Sequence, residues 1–169
     1  IPSFIDVEID SFCIDENLIE ESISEKTKAI CVPNLIGNLP NWQKIKEISK
    51  KYNLIVIEDS ADTLGATIKN SSSGIFSDIS ITSFYGSHVV NGAGNGGMLC
   101  VNDENLKDKA KLLRSWGRSS SLFKDSEAIE NRFNVELEGI EYDAKFVFES
   151  IGYNLEPSEI SAAFCLVQL

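Results

Sequence analysis

Apolar residues recur along the chain with two different spacings, and each spacing predicts a different kind of element. Short apolar runs bounded by turn residues predict strands, at residues 4–7, 27–32, 54–57, 79–84 and 97–101. Apolar residues three and four apart predict amphipathic helices, at residues 15–23, 41–52 and 103–114 and from Pro157 onward. Because strands alternate with helices, the pattern predicts an α/β fold with a parallel or mixed sheet.

Three segments carry more specific predictions. The uninterrupted apolar run 54–57 predicts a strand that is buried on both faces. Residues 119–141 are polar and charged, which predicts a surface excursion. The last helix is expected to face a core through its apolar residues, Ile160, Ala163, Phe164 and Val167.

Composition narrows the class of protein. The chain has 169 residues, 43% hydrophobic and 24% charged, which is ordinary for one soluble domain. The net charge of −11 argues against a nucleic-acid or anionic-membrane partner, since both need clustered Lys and Arg. No apolar run approaches the ~20 residues of a membrane span. The four scattered cysteines predict reduced thiols in a cytoplasmic protein and no metal site.

The two ends of the chain carry a prediction of their own. The sequence begins with Ile1 and not with methionine, and it closes at Leu169 inside an apolar helical pattern. We therefore expect an interior piece of a longer protein, inactive by itself.

An acid and a base close two of the predicted strands. Asp59 follows the run 54–57, and His88 follows the run 79–84. Many open α/β sheets build a site from side chains at strand ends. His88 is the only histidine, and no lysine occurs between Lys69 and Lys107. Since histidine is the side chain that exchanges protons most readily near neutral pH, His88 is the candidate proton carrier.

These polar residues also have structural alternatives. Asp59 could cap a turn, Asp62 could be an acid in the first turn of a helix, and Ser83 could be an ordinary turn residue. The stretch 92–97 satisfies GxGxxG, but a strand follows it where a dinucleotide-binding loop needs a helix, so we reject that motif. Glycines there let the backbone turn tightly beside a ligand or a partner chain.

A set of motifs, in order along the chain, resembles the DegT-type sugar aminotransferases. They are residues 59–66, 74–79, 83–85, 94–98 and 153–157, with Gln168 and Leu169. These are vitamin B6 enzymes of the aspartate aminotransferase fold that act on nucleotide-linked keto sugars. The resemblance covers essentially the whole chain. It implies the large domain of fold type I, with three layers, a mixed and mostly parallel sheet, helices on both faces, and an N-terminal segment and C-terminal small domain beyond residues 1–169.

The resemblance also implies roles for individual residues. Asp59 would keep the pyridine nitrogen of the cofactor protonated, and Ser83 would bind the cofactor phosphate. Asn154 would reach the cofactor phosphate of the neighbouring subunit, which implies a homodimer with shared active sites. The cofactor would be pyridoxal 5′-phosphate (PLP) or pyridoxamine 5′-phosphate (PMP).

His88 departs from the aminotransferase pattern, which has the cofactor-binding lysine at this position. Histidine cannot bind the cofactor covalently, and the subgroup with histidine here is similar to the 3-dehydratases of 4-keto-6-deoxy sugars. Asp62 would be a further cofactor-binding residue, and it also fits that subgroup, since the transaminases usually carry Gln or His there. The implied reaction is PMP-dependent loss of the C3 hydroxyl of a nucleotide-linked sugar, with His88 as acid and base.

Some members of this subgroup carry an iron–sulfur cluster on cysteines. Here Ala61 and Ser119, Ser120 and Ser121 offer no thiol, so no cluster is expected. This favours regeneration of PMP by glutamate. Two alternatives remain: an aminotransferase whose lysine lies elsewhere, with Lys69 poorly placed for it, and a noncatalytic binding or regulatory relative.

Overall fold

A computed structural model describes residues 1–169 as two compact units. The first unit comprises residues 1–102 together with 158–169, and the second comprises residues 103–157. None of the helices is long and apolar enough to cross a bilayer.

The first unit is built on a four-stranded sheet. Its strands are β1 (Ala29–Pro33), β2 (Ile55–Asp59), β5 (Ile79–Ser83) and β6 (Gly97–Val101), in the order β1-β2-β5-β6. Strands β1, β2 and β5 are parallel to one another, and β6 is antiparallel to β5. A small hairpin of β3 (Thr67–Ile68) and β4 (Ser71–Ser72) lies between β2 and β5 in the chain. The mixed, mostly parallel sheet confirms the α/β prediction.

Helix α1 (Trp42–Tyr52) closes one face of this sheet. The Asn41 side chain caps it by accepting a hydrogen bond from the Lys44 amide, 3.1 Å away. The helix ends where Asn53 turns into the left-handed region, with φ of 53°. Its apolar face packs into a buried cluster of Ile19, Ile30, Val32, Trp42, Ile45, Ile48, Leu54 and Val56. Each such side chain stabilises the fold by about 1.5–3 kcal/mol.

Strand β2 is buried on one face only. Val56 and Glu58 have no exposed surface, whereas Ile55 is 41% exposed. The prediction of burial on both faces was wrong. Helix α1 packs on the face that carries Val56, and Ile55 on the other face is exposed. An apolar run of four residues does not distinguish a strand covered on both sides from one covered on a single side.

The first 28 residues differ most from the sequence-based prediction. Residues 4–7 form no strand, and only one isolated bridge joins Val7 to Ile14. Instead of the helix expected at 15–23 there is a single 3₁₀ turn, Glu20–Ser22. The Asp15 carboxylate accepts a hydrogen bond from the Asn17 amide at 2.9 Å, a local turn that competes with helix formation.

The second unit contains α2 (Glu104–Arg114), α3 (Ile129–Arg132) and a hairpin of β7 (Val135–Leu137) and β8 (Ile140–Tyr142). Asp103 caps α2 by accepting from the Leu106 amide at 2.9 Å. Both turn residues of the hairpin, Glu138 and Gly139, have positive φ, as tight hairpins need. The predicted surface excursion at 119–141 therefore holds regular elements, and Ser119 and Ser120 within it are buried.

Helix α4 (Glu159–Leu166) belongs to the first unit, but its apolar residues do not face a core. Ile160 is 80% exposed, Phe164 48% and Val167 88%, and Ala163 is exposed as well. The prediction for this helix was wrong because it docks through Cys165, whose thiol lies 3.5 Å from the Asn91 carbonyl oxygen.

Candidate active site

The first candidate residue, Asp59, closes β2 at its carboxyl end. Its Oδ1 accepts a hydrogen bond from the Ala61 amide at 3.0 Å, while Oδ2 has no hydrogen-bond partner in the chain. Its carbonyl accepts from the Asn34 amide at 2.8 Å, which joins the ends of β1 and β2. Since successive strand residues point to opposite faces, Asp59 faces away from the buried side chain of Glu58.

Ser83 closes the neighbouring strand β5. Asp59 is in register with Ile81, so Asp59 and Ser83 lie on the same face of the sheet. The Ser83 hydroxyl oxygen accepts from the Tyr85 amide at 3.1 Å and keeps its own proton to donate. The sheet therefore brings a carboxylate and a hydroxyl together at one edge and on one face.

His88 lies in the turn after β5. Its amide donates to the Tyr85 carbonyl at 3.0 Å, and the Tyr85 ring stands edge-on to the imidazole, with centroids 6.0 Å apart. The imidazole Nε2 lies 3.9 Å from Asp62 Oδ1. Its Nδ1 is buried and has no hydrogen-bond partner. Buried ring nitrogens are normally paired, so the unpaired Nδ1 of His88 is an exception among the buried polar groups of this chain.

Asp62 connects His88 to a distant loop. Its Oδ2 accepts from the Ile36 amide at 3.2 Å, while Oδ1 faces His88. Ile36 itself is in the left-handed region, with φ of 49°. The structure thus gives Asp62 a hydrogen bond from the Ile36 amide and a longer contact with the imidazole, and a contact of Asp62 with the cofactor stays a prediction.

The glycine-rich turn packs against the end of β5. The Gly92 amide donates to the Phe84 carbonyl at 2.7 Å, and the Phe84 amide donates to the Gly96 carbonyl at 2.9 Å. A Cβ on Gly92 would lie 2.8 Å from the Asn95 carbonyl oxygen, closer than side-chain carbons approach. The glycines serve this close turn, and β6 follows them where a dinucleotide-binding loop needs a helix.

Asn154 lies in the second unit, whereas the other candidate residues lie in the first. It forms an isolated bridge with Ser115, and its side chain is exposed. Its proposed contact across a subunit interface stays a prediction.

Sequence reasoning missed one group beside these residues, the carboxylate of Glu58. It is fully buried and accepts hydrogen bonds from four side chains, Asn34, Ser60, Ser73 and Ser77. The available signal was the alternation Val56, Glu58, Ser60, which carries a buried apolar face on into polar residues. The partners are 2 to 24 residues away in sequence, and no local pattern points to them.

A cavity of about 500 Å³ opens at the opposite edge of the sheet. It lies by the amino ends of β1 and β2, between Lys28 and Leu54, and contains none of the candidate residues. Ligands of open α/β sheets bind at the carboxyl ends of the strands, so Asp59, Ser83 and His88 stay the candidate site residues.

Comparison with known proteins identifies the family of the chain. The model of the DegT/DnrJ/EryC1/StrS aminotransferase family matches residues 1–169. The chain belongs to this family. A lipopolysaccharide biosynthesis protein, RfbH, of Salmonella typhimurium is 37% identical over all of the chain and 39% of its own length.

Solved structures of the family share the fold. The GDP-4-keto-6-deoxy-D-mannose-3-dehydratase of E. coli, solved with hydrated PLP, matches 98% of the chain and 41% of its own chain, with 29% identity and a TM-score of 0.81. Helicobacter pylori PseC, an aminotransferase, matches 99% of the chain and 39% of its own, with 29% identity and a TM-score of 0.79. The chain thus spans about two fifths of these proteins.

The residues at the strand ends suit a PLP-type cofactor. Asp59 has a carboxylate oxygen free for the pyridine nitrogen, and Ser83 has a hydroxyl proton free for a phosphate. His88, whose Nδ1 is buried and unpaired, lies in the same unit. These unpaired atoms are what a bound cofactor of this kind requires.

Proposed function

We propose that the full-length protein removes the C3 hydroxyl of a nucleotide-linked 4-keto-6-deoxy hexose with PMP as cofactor. The observation that carries the proposal is His88. It takes the place of the lysine expected in an aminotransferase, its Nε2 faces Asp62 at 3.9 Å, and its Nδ1 is buried and unpaired. Such an imidazole is equipped to move protons and cannot hold the cofactor covalently.

Three residues of the proposed site hold the cofactor. Asp59 binds the pyridine nitrogen through its free Oδ2, Ser83 donates to the phosphate, and Asn154 reaches the phosphate in the partner subunit of a homodimer. When bound, PMP supplies the amine that condenses with the C4 ketone and the ring that stores an electron pair. Asp59 assists by keeping a positive charge on the ring nitrogen.

His88 carries the proton transfers. It accepts a proton from the carbon that bears the cofactor amine and donates one to the C3 hydroxyl, which leaves as water. Asp62 lies beside this imidazole, with its Oδ1 3.9 Å from Nε2. Asp62 thus acts through His88 in this proposal. Hydrolysis releases ammonia and the 3-deoxy product, and glutamate then restores the amine of the cofactor.

Support comes from the relatives as well as from the site. Dehydratases acting on GDP-4-keto-6-deoxy-D-mannose are among the relatives, one of them 30% identical over 98% of the chain. The family also includes a GDP-perosamine synthase that is 30% identical over 99% of the chain. Modification of a nucleotide-linked deoxysugar is common to both names, and the residue at position 88 favours the dehydratase.

The test uses the full-length protein with PMP, glutamate and GDP-4-keto-6-deoxy-D-mannose, followed by mass spectrometry of the sugar nucleotide. We expect a 3-deoxy-4-keto product that is lost in His88→Asn. The matched control is Ile48→Ala, which alters the core on α1 and none of the site residues.

An amino sugar as the product would favour the aminotransferase instead. That alternative needs a lysine, and Lys69 lies in the turn between β3 and β4, with φ of 51°. A protein that neither binds PMP nor alters the sugar would favour a noncatalytic binding role.

A further inference from the structure

The carboxylate of Glu58 has no catalytic task in the proposed reaction, yet its surroundings are unusual. It has no exposed surface, and no lysine, arginine or histidine pairs with it. A buried carboxylate is costly unless hydrogen-bond donors surround it. Four neutral side chains donate to it here.

These donors come from three different segments. Asn34, just after β1, donates to Oε1 at 2.8 Å, and Ser60, just after β2, donates to the same oxygen at 2.6 Å. Ser73 also donates to Oε1, and Ser77 donates to Oε2 at 3.2 Å. The last two lie on the segment that leads into β5. One carboxylate thus ties together the chain around the ends of β1 and β2 and the approach to β5.

A further hydrogen bond extends this cluster into α1. Trp42 Nε1 donates to Asn34 Oδ1 at 2.9 Å, and both residues are 1% exposed. The Asn34 amide group is therefore fixed on both sides, by the indole and by Glu58. The cluster of Asn34, Trp42, Glu58, Ser60, Ser73 and Ser77 is called the Glu58 network below.

Asp59 is the residue most closely fixed by this network. Its two neighbours in sequence, Glu58 and Ser60, are both members. Its carbonyl accepts from the Asn34 amide at 2.8 Å, and the Ser60 amide donates to the Ile81 carbonyl at 2.8 Å. The backbone on either side of Asp59 is thus held to β1 and β5, and the Ala61 amide holds its Oδ1 at 3.0 Å.

We propose that Glu58 is a positioning residue, which through this network fixes the carboxylate of Asp59 in the direction that binds the pyridine nitrogen of the cofactor. The inference rests on the proposed function, because it assumes that Asp59 meets that nitrogen. Glu58 acts from the opposite face of β2 and touches neither cofactor nor substrate.

Positioning and a through-space effect of charge predict different behaviour for Glu58→Gln. A glutamine oxygen at the place of Oε1 can accept the same three hydrogen bonds, and its NH₂ at the place of Oε2 can donate to the Ser77 hydroxyl. The network then persists without the negative charge. Glu58→Ala removes both the network and the charge.

The test measures PLP binding to the cofactor-free full-length protein by absorbance titration. A second measurement needs no cofactor: it follows hydrogen exchange at the Ala61 amide, which donates to Asp59 Oδ1. In metal sites, removing the partners that orient the ligating side chains costs about 10- to 100-fold in affinity. We expect about tenfold weaker PLP binding and faster Ala61 exchange for Glu58→Ala, and a change within about threefold for Glu58→Gln.

Two controls separate positioning from loss of stability. Ile48→Ala destabilises the same core without touching the network, and we expect it to lower the melting temperature while leaving PLP affinity unchanged. If Glu58→Ala does not fold, Ser60→Ala and Ser73→Ala each remove a single donor, and each is expected to weaken PLP binding by a smaller factor than Asp59→Asn does.

The outcomes distinguish this inference from the proposed function. Equal losses of PLP affinity in Glu58→Gln and Glu58→Ala would overturn positioning in favour of charge. An effect of Glu58→Ala no larger than that of Ile48→Ala, with Asp59→Asn still impaired, would overturn the inference alone. If Asp59→Asn itself bound PLP as tightly as the unaltered protein, the cofactor site of the proposed function would fail first.

Discussion

The polar side chains on the two faces of β2 differ in how many hydrogen-bond partners they have. On the α1 side, Glu58 is fully buried and accepts four hydrogen bonds from neighbouring side chains. On the other side, Asp59 has one oxygen without a partner, and the Nδ1 of His88 in the turn after β5 has none either. Adjacent residues in the sequence thus belong to two different environments.

The difference teaches how to tell structural from functional polar groups in this chain. A buried polar group that is fully hydrogen-bonded contributes to folding, and its removal leaves donors unsatisfied. A polar atom without a partner contributes no hydrogen bond to the fold, and where a ligand can reach it the atom can bind that ligand. If this distinction holds, substitutions on the two faces should separate stability from activity.

The largest expected effect is that of His88→Asn on turnover. Loss of an acid–base group lowers rates by about 10²- to 10⁴-fold, while the stability of the full-length protein should stay within about 0.5 kcal/mol because the imidazole makes no hydrogen bond in the chain. Steady-state kinetics and urea unfolding check the two parts. A strong loss of stability would mean that the unpaired imidazole is structural, and the distinction would fail.

The next effect is on stability and compares Glu58→Ala with Asp59→Asn. The first leaves several donors without an acceptor, each costing about 1–3 kcal/mol, so we expect a loss of about 3 kcal/mol or more. The second keeps an oxygen for the Ala61 amide, so we expect a change within about 0.5 kcal/mol. Urea denaturation of both variants measures the difference, and equal losses would contradict the comparison.

The sequence predicts those elements whose signals are local. The apolar spacing locates α1 and α2 to within a residue or two, and the apolar runs locate β2, β5 and β6 equally well. The helix predicted at residues 15–23 does not form, because the Asp15 side chain stabilises a turn. Helix α4 is predicted, but the burial of its apolar residues is predicted wrongly, because apolar spacing alone does not say whether a face is covered.

The candidate site also contains residues that a local pattern predicts and contacts that only the folded chain reveals. Asp59 and Ser83 are predictable as polar residues at the ends of apolar runs, which the sheet brings to one edge. The contact of Asp62 with the Ile36 amide joins residues 26 apart, and it depends on a left-handed residue in a loop. The Glu58 network depends on hydrogen bonds over similar separations, so only the folded chain reveals it.

A smaller effect is expected for Trp42→Phe. The change keeps most of the apolar contact and removes the indole N–H that donates to Asn34 Oδ1 at 2.9 Å. One buried acceptor then loses its partner, and we expect a loss of about 1–2 kcal/mol. Urea unfolding tests this, with Ile45→Val as a control that trims the same helix face without touching a hydrogen bond. Equal changes in the two variants would mean that the indole contributes by packing alone.

The smallest effect concerns a fully paired group in the second unit, where the distinction predicts an influence on stability only. The Arg132 side chain donates to Asp143 and lowers the pKa of that carboxyl, and the Lys145 amide donates to it at 3.0 Å. Because the folded pKa lies below the ordinary value, the pair stabilises the fold above the unfolded pKa of about 3.9. That stabilisation is lost as the pH falls through the folded pKa.

Thermal melts of the full-length protein between about pH 2.5 and pH 6 measure this contribution, since the range brackets the ordinary carboxyl pKa. Asp143→Asn should melt at a lower temperature than the unaltered protein near pH 6, and the gap should close toward the acid end. PLP affinity at neutral pH should be unchanged, because Asp143 is fully engaged within its own unit. A gap that widened in acid would reverse the sign of the argument, and weaker PLP binding would show that a paired group can also serve the site.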